Sequence, residues 1–198
     1  MSIEAIYNRR SIRKYKSQDV NIETINMIIE AGIAAPSGKN RQPWRFIVFK
    51  GDKKEELLDK MECGIERELN GDAKLLESKG GISDAKNTLR IMREASVIIM
   101  ILNKNGKSLF EEINPDERVV EIVDIFSIGA AVENMMLQAE NLGIGTLCIA
   151  NTCYAYDELT SYLNTDSQLV GALALGYADE KPNPRPRKDF NSIVEYRI

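Results

Sequence analysis

Residues 9 to 16 read Arg-Arg-Ser-Ile-Arg-Lys-Tyr-Lys, five cations with no acid among them. The whole chain carries 26 basic and 30 acidic residues, so a local excess of this kind points to an anion held in place. Guanidinium groups meet phosphate oxygens in pairs, and the Ser11 hydroxyl adds a neutral donor. A second cationic group, Arg185-Pro-Arg187-Lys188, follows Pro182 and Pro184 near the other end. Folded beside the first group, it completes the neutralisation of a dianionic phosphate; apart from it, it is a basic tail. Between the two lies Pro36-Ser37-Gly38-Lys39-Asn40-Arg41-Gln42-Pro43, stiffened by its prolines and presenting a hydroxyl and two amides. Such a loop suits a planar heterocycle lined with donors and acceptors. Taken singly, the three segments read equally as a solvated basic turn, a surface connection and a tail.

Composition removes several chemistries. The 198 residues contain no histidine, which excludes Ser-His-Asp and Cys-His catalysis and His-ligated metal sites. A borrowed cofactor is the economical source of reactivity. Cys63, Cys148 and Cys153 match neither a zinc site nor a disulfide framework, which suggests a reduced, cytoplasmic chain without a catalytic thiol pair. Cys148, in an apolar run, is expected to be buried. The start of the chain, Met-Ser-Ile-Glu, has no basic-then-apolar leader, and the apolar run Ile122 to Leu142 is broken by Asp124, Glu133 and Glu140, so no membrane span is expected. The net charge of −4, and Tyr15 as the one aromatic residue among the cations of 9–16, argue against nucleic acid.

The elements that must position these groups follow from spacing and caps. Ser2 is expected to cap a short helix through Asn8, and Asn21 one carrying Ile22, Ile25, Ile28, Ile29 and Ile33 on a stripe. Trp44 to Phe49 reads as a strand, with Asp52 capping a helix over Lys53 to Met61. From Glu62 to about Asn87 glycines interrupt a polar stretch, read as helical pieces joined by loops; residues 62–90 are a candidate lid. Val97 to Leu102 is a buried strand. Asn114 and Pro115 open a long helix to Leu142 with Gly143 beyond its end. That helix is apolar on nearly every face and must be covered. Gly145 to Ala150 and Leu169 to Tyr177 read as strands, Asp157 to Leu163 as a helix, and Ser192 to Ile198 as strand-like. No repeat or linker divides 1–198, which reads as one α+β domain.

The combination of Arg9-Arg10-Ser11-x-Arg13 with Pro36-Ser37-x-x-Asn40-x-Gln42-Pro43-Trp44 closely resembles the nitroreductase-like flavoprotein family. Gly143-Ile-Gly145-Thr after the long helix and the Arg-Pro-Arg tail fall where that family has comparable features. The resemblance implies an α+β sandwich with a mainly antiparallel sheet flanked by helices. It also implies an interlocked homodimer with FMN at the interface and a C-terminal segment wrapped over the partner.

The resemblance also assigns roles. Arg9, Ser11, Arg185 and Arg187 would hold the FMN phosphate, with Arg10 in support. Arg13 matches a cation near the flavin pyrimidine edge, where it would favour hydride acceptance. Ser37, Gly38 and Asn40 match a flavin-contacting loop contributed by the other subunit, although Gly38 stands where some members have serine. Gln42 would orient that loop. Ile149, Ala150 and Asn151 lie where the family places backbone donors near flavin N5 and O4. The activity implied is ping-pong transfer of reducing equivalents from NADH or NADPH to a small-molecule electron acceptor such as a nitroaromatic or quinone. Sibling activities with the same fold are reductive dehalogenation, flavin fragmentation and non-catalytic flavin or nucleotide sensing. Glu66, Arg67, Glu68, Lys74 and Lys79 could either bind a zwitterionic substrate or form a solvated charged face.

Overall fold

Val97–Asn103 (β2) is buried at every position, the burial pattern of a strand covered on both faces. The computed structural model describes residues 3–198 and places β2 inside a four-stranded sheet. The strands are Trp44–Phe49 (β1), β2, Gly145–Ile149 (β3) and Gln168–Gly176 (β4), in the order β1-β2-β4-β3. Every pairing is antiparallel. Because side chains alternate across a strand, Ile98, Met100 and Leu102 face one core, while Val97, Ile99 and Ile101 face the other.

The two cores define the layers. On the first face pack helices Gly51–Leu69 (α3), Ile82–Glu94 (α4) and Tyr156–Leu163 (α6), through Leu57, Leu58, Met61, Leu89, Met92 and Leu159. On the second pack Ile22–Ile33 (α2) and Pro115–Asn141 (α5), through Ile25, Ile28, Ile128, Ala131 and Met135. A short helix, Glu4–Asn8 (α1), precedes the basic segment. The expected α+β sandwich with an antiparallel sheet is what the chain forms.

Local chemistry accounts for the ends of α5. The Asn114 side chain accepts from the Glu117 N–H while Glu117 returns a bond to the Asn114 N–H, and Pro115 occupies the first turn. Past the far end, Gly143 takes φ +72°, a left-handed conformation costly for any side chain. Asn21 likewise caps α2 by accepting from Thr24 N–H. The stripe expected on α2 is only partly inward: Ile25 and Ile28 are buried, whereas Ile22 and Ile33 are exposed at that helix's ends. Ser2 lies outside the described residues, and the N-cap position of α1 is Ile3.

Three expectations change. Helix α3 begins one residue before Asp52, with Lys50 at the N-cap position, and runs on through Gly64 to Leu69. Gly64 is not a breaker there. A Cβ at Gly64 would lie 2.4 Å from both Cα and Cβ of Ala155, so the residue is small because a neighbouring backbone sits against it. Gly64→Ala should therefore cost about 1–3 kcal/mol by overpacking, read as a lower midpoint in chemical denaturation. Second, Cys148 is exposed, because it lies on the face of β3 opposite Leu147 and Ile149, which are buried in the first core. Third, Ser192 to Ile198 forms no strand; Ser192 ends a 3-10 turn begun at Phe190, and among the described residues no sheet edge pairs with the segment.

Residues 62–90 contribute to the first core. Ile65, Ile82, Ala85 and Leu89 are buried in it. Of the charged group here, Glu66, Lys74 and Lys79 are exposed, as on a solvated face, whereas Arg67 and Glu68 turn inward. Glu68 is buried and accepts from the N–H groups of Lys74 and Leu75 and from Arg67, which also reaches Glu158 at 2.7 Å. Burial pushes the Glu68 carboxyl up, but these donors together hold it below the usual range. The ion-pair network ties the 70–75 turn to α3 and α6.

Candidate functional site

The N-terminal and C-terminal arginines converge. Past α1 the chain runs along the free edge of β3, where Ser11 bridges Thr146 in parallel and the Ile12 N–H donates to Thr146 O at 2.9 Å. It then pairs antiparallel with residues after β4: Lys16 N–H donates to Tyr177 O and Asp179 N–H to Lys14 O, both at 2.9 Å. Tyr15 is buried at this seam. A chain leaving the centre of the sheet thereby returns beside its own beginning. Arg9, Arg10, Ser11, Arg13, Arg185 and Arg187 line one cavity of about 480 Å³, with Tyr7 and Asn183 at its rim.

No acid lines that cavity. Arg9 Nε is buried and makes no hydrogen bond; its nearest countercharge is Glu133 Oε1 on α5 at 3.4 Å. A buried guanidinium N–H without a partner is costly, and such groups mark sites completed by a ligand. Arg10 spends its guanidinium on the carbonyls of Tyr7 (2.7 Å) and Arg9 (2.8 Å), fixing the main chain rather than facing the cavity freely. Arg13 Nη1 donates to Ser11 O at 3.2 Å, while Arg185 and Arg187 remain exposed. The cluster fits a phosphoryl dianion with room for what is attached to it.

The loop from Pro36 to Pro43 sits elsewhere on the chain and is held by contacts the sequence reading missed. Arg41 reaches Asp124 of α5 through Nε (3.0 Å) and Nη2 (2.6 Å), and Asn105 donates to the other Asp124 oxygen at 3.1 Å. Asp124 is wholly buried. The Gly38 N–H donates to Ser127 Oγ at 3.3 Å, and Ser127 in turn donates to Val123 O. Within the loop, Ser37 Oγ accepts from the Gln42 N–H, and Gln42 Nε2 donates to Asn40 Oδ1. Lys39, Asn40 and Gln42 all take positive φ, near +50°, a strained backbone that these contacts over-determine. The available signal was Asp124 itself, a carboxylate on the inward face of an apolar helix.

The third group lies at the end of β3. Ile149 is buried, Ala150 is exposed, and among the described residues neither the Ala150 nor the Asn151 N–H donates to the turns around it. The Asn151 amide is pinned at 3.1 Å to both Asp84 and Thr88 on one face of α4. Two adjacent backbone donors are thus left unengaged by those turns at a fixed strand end. Cys148 precedes them. Desolvation pushes its thiol up, ahead of the opposing Ile149 N–H, and Glu133 adds to the rise while Arg9 counters it. It therefore stays protonated at neutral pH, and all three cysteines are free thiols.

Helix geometry sets these groups relative to one another. Asp124 and Glu133 are nine residues apart, which is about half a turn around α5 and about 13 Å along it. The loop anchor and the arginine cavity consequently sit on opposite faces of the helix. Phe126 and Glu133 are seven residues apart and share a face to within about 20°. The exposed stripe Val119, Ile122 and Phe126, which is 82% exposed at Phe126, thus leads directly to the arginine cavity.

Comparison with known proteins establishes the family. Residues 6–177 match the model of the Nitroreductase family. The chain belongs to that family. Among relatives, an Archaeoglobus fulgidus protein described as an NADH dehydrogenase/NAD(P)H nitroreductase is 29% identical over 194 residues, 95% of this chain and 88% of the relative. A BluB-like flavoprotein from Clostridium difficile 630 is 26% identical with a TM-score of 0.75, covering 100% of each chain. A protein from Desulfovibrio desulfuricans, described as a nitroreductase and solved in complex with FMN, is 27% identical with a TM-score of 0.72, covering 99% of this nitroreductase-family chain and 96% of its own.

Proposed function

We propose that this member of the nitroreductase family is an FMN-dependent oxidoreductase that draws on NADH or NADPH to reduce small electrophiles such as nitroaromatics or quinones. The observation that carries the proposal is the convergence of Arg9, Arg13, Arg185 and Arg187 on one acid-free cavity, with the buried Arg9 Nε making no hydrogen bond. That donor set fits the phosphate of FMN. A bound flavin would supply hydride chemistry at its N5, in two half-reactions that share one face of the ring.

The chain's own residues do the rest. Arg9, Arg185 and Arg187 would hold the phosphate charge, the Ser11 hydroxyl would add a neutral donor, and Arg10 keeps the Arg9 main chain in place. Arg13 would add positive field that favours negative charge on a reduced flavin. The backbone N–H groups of Ala150 and Asn151 would serve as donors to the flavin. No side chain need act as acid or base, so the lack of histidine is no obstacle.

A homodimer completes the site in this account. One copy turns its 36–43 loop away from its arginine cavity. A second copy packed on the Val119–Ile122–Phe126 stripe reaches the cavity's open side and brings its own Ser37, Gly38, Asn40 and Gln42 there. Phe190, Ile193 and Tyr196 of the tail are exposed as well and suit the same partner. Phe126→Glu should shift dimer to monomer in sedimentation, weakening association by about 100-fold or more, since burying that ring is worth roughly 1.5–3 kcal/mol before the added charge. It should release the flavin at the same time; a dimeric, flavin-loaded variant would contradict the arrangement.

The enzymatic test is anaerobic. Purified protein should be yellow, be bleached by a reduced nicotinamide, and recover its colour with at least one member of a panel of nitroaromatics and quinones. Bound flavin that no nicotinamide reduces would leave a flavin-binding protein with another role.

A further inference from the structure

Glu180 is placed where the two arginine segments meet. The main-chain ladder between residues 14–16 and 177–179 ends at Asp179, whose N–H donates to Lys14 O. The next residue continues the stitching with its side chain: the Glu180 carboxylate accepts the Arg13 N–H. Glu180 is partly buried and does not line the arginine cavity. It lines instead the neighbouring cavity, beyond Pro182 and Pro184, whose wall includes Arg10, Ile12 and Lys181. Its charge is thus turned onto backbone behind the cations, not toward the anion they face. From Glu180 the chain passes through Pro182 and Pro184, which restrict the backbone, to Arg185 and Arg187.

We infer that Glu180 is a positioning residue for the anion cradle: by holding the Arg13 N–H, it fixes the spacing between the N-terminal and C-terminal arginines so that both address one phosphoryl group. The inference rests on the proposed binding of FMN through its phosphate. It assigns to Glu180 no contact with the ligand. A carboxylate this close to a dianion site is otherwise unfavourable, and pairing it with a main-chain N–H gives it a use that offsets that cost.

The test separates phosphate from ring. The full-length chain, freed of flavin, is titrated with FMN and with riboflavin, which lacks the phosphate, for wild type, Glu180→Ala and Glu180→Gln. With the Arg13 segment no longer held against the one carrying Arg185 and Arg187, Glu180→Ala should weaken FMN binding about tenfold or more while riboflavin affinity stays within about twofold. Glu180→Gln keeps an acceptor for the Arg13 N–H and should retain FMN binding to within about threefold. Circular dichroism checks that the variants remain folded, and an Ala variant that unfolds leaves the Gln variant and Glu180→Asp, which withdraws the carboxylate by one methylene, to be read by the same FMN-to-riboflavin ratio. Equal losses of FMN and riboflavin, unchanged FMN binding in Glu180→Ala, or a Gln variant as weak as Ala would each overturn the inference. Wild-type protein that prefers FMN to riboflavin not at all overturns the phosphate site itself, and the inference with it.

Discussion

Replacing Arg9 and Arg187 together with alanine is expected to cost the protein its flavin. Each charge-assisted contact to a phosphate is worth roughly 1.5–3 kcal/mol, so each replacement should weaken FMN binding by about tenfold to 100-fold, and the pair by about 100-fold to 10,000-fold. The flavin-free protein should behave differently. Arg9 Nε is buried without a hydrogen bond, and its ion pair is to the half-exposed Glu133 at 3.4 Å, an interaction worth little, so its removal should leave the thermal midpoint of the stripped protein close to wild type. Fluorescence titration gives the first quantity and calorimetry of the stripped protein the second. A loss of stability in proportion to the loss of flavin would mean that Arg9 supports the fold rather than the ligand.

Arg41→Ala is expected to produce the opposite pattern, with the damage in the fold. Asp124 is wholly buried and depends on Arg41 for its countercharge, with only the neutral amide of Asn105 besides. Removing one partner of such a pair typically costs about 3–5 kcal/mol, because the other charge is left uncompensated. The double variant Arg41→Ala/Asp124→Ala should recover part of that loss, since no lone carboxylate remains. Chemical denaturation of the two single variants and the double variant measures the coupling, and additive losses would show that the pair does not act as a unit. The strained backbone at Lys39, Asn40 and Gln42 should relax in the same variants, since Arg41 lies among those residues.

Much of this architecture was legible because local chemistry and tertiary packing agree. Asn114, Pro115 and Gly143 bracket α5 in the sequence as they do in the structure, and the unbroken apolar run of β2 reads as a strand covered on both faces. The arginine clusters were visible as residues. Their meeting was not, since it depends on a ladder between residues 14–16 and 177–179 that no local pattern announces. Glycine misled at position 64, where it reports the close approach of Ala155 rather than a break in the helix. Residues 62–90 looked irregular because glycines interrupt a polar stretch, yet Glu68 turns inward there and pairs with Arg67, which also reaches Glu158. Cys148 was misplaced because its neighbours are apolar, whereas Leu147 and Ile149 face the first core and leave Cys148 on the other face of β3. The candidate site was therefore recognised through its motifs, while the groups that hold it, Asp124, Glu133 and Glu180, came only from the fold.

The most direct measurement is phosphorus NMR of FMN bound to the protein, followed across the pH range in which a free phosphate monoester titrates, near a second pKa of about 6. Guanidinium groups from both ends of the chain should hold the phosphate as a dianion, so the bound resonance should stay constant well below that value. A bound resonance that titrates as free FMN does, or protein on which no bound resonance forms, would contradict the assignment of this cavity.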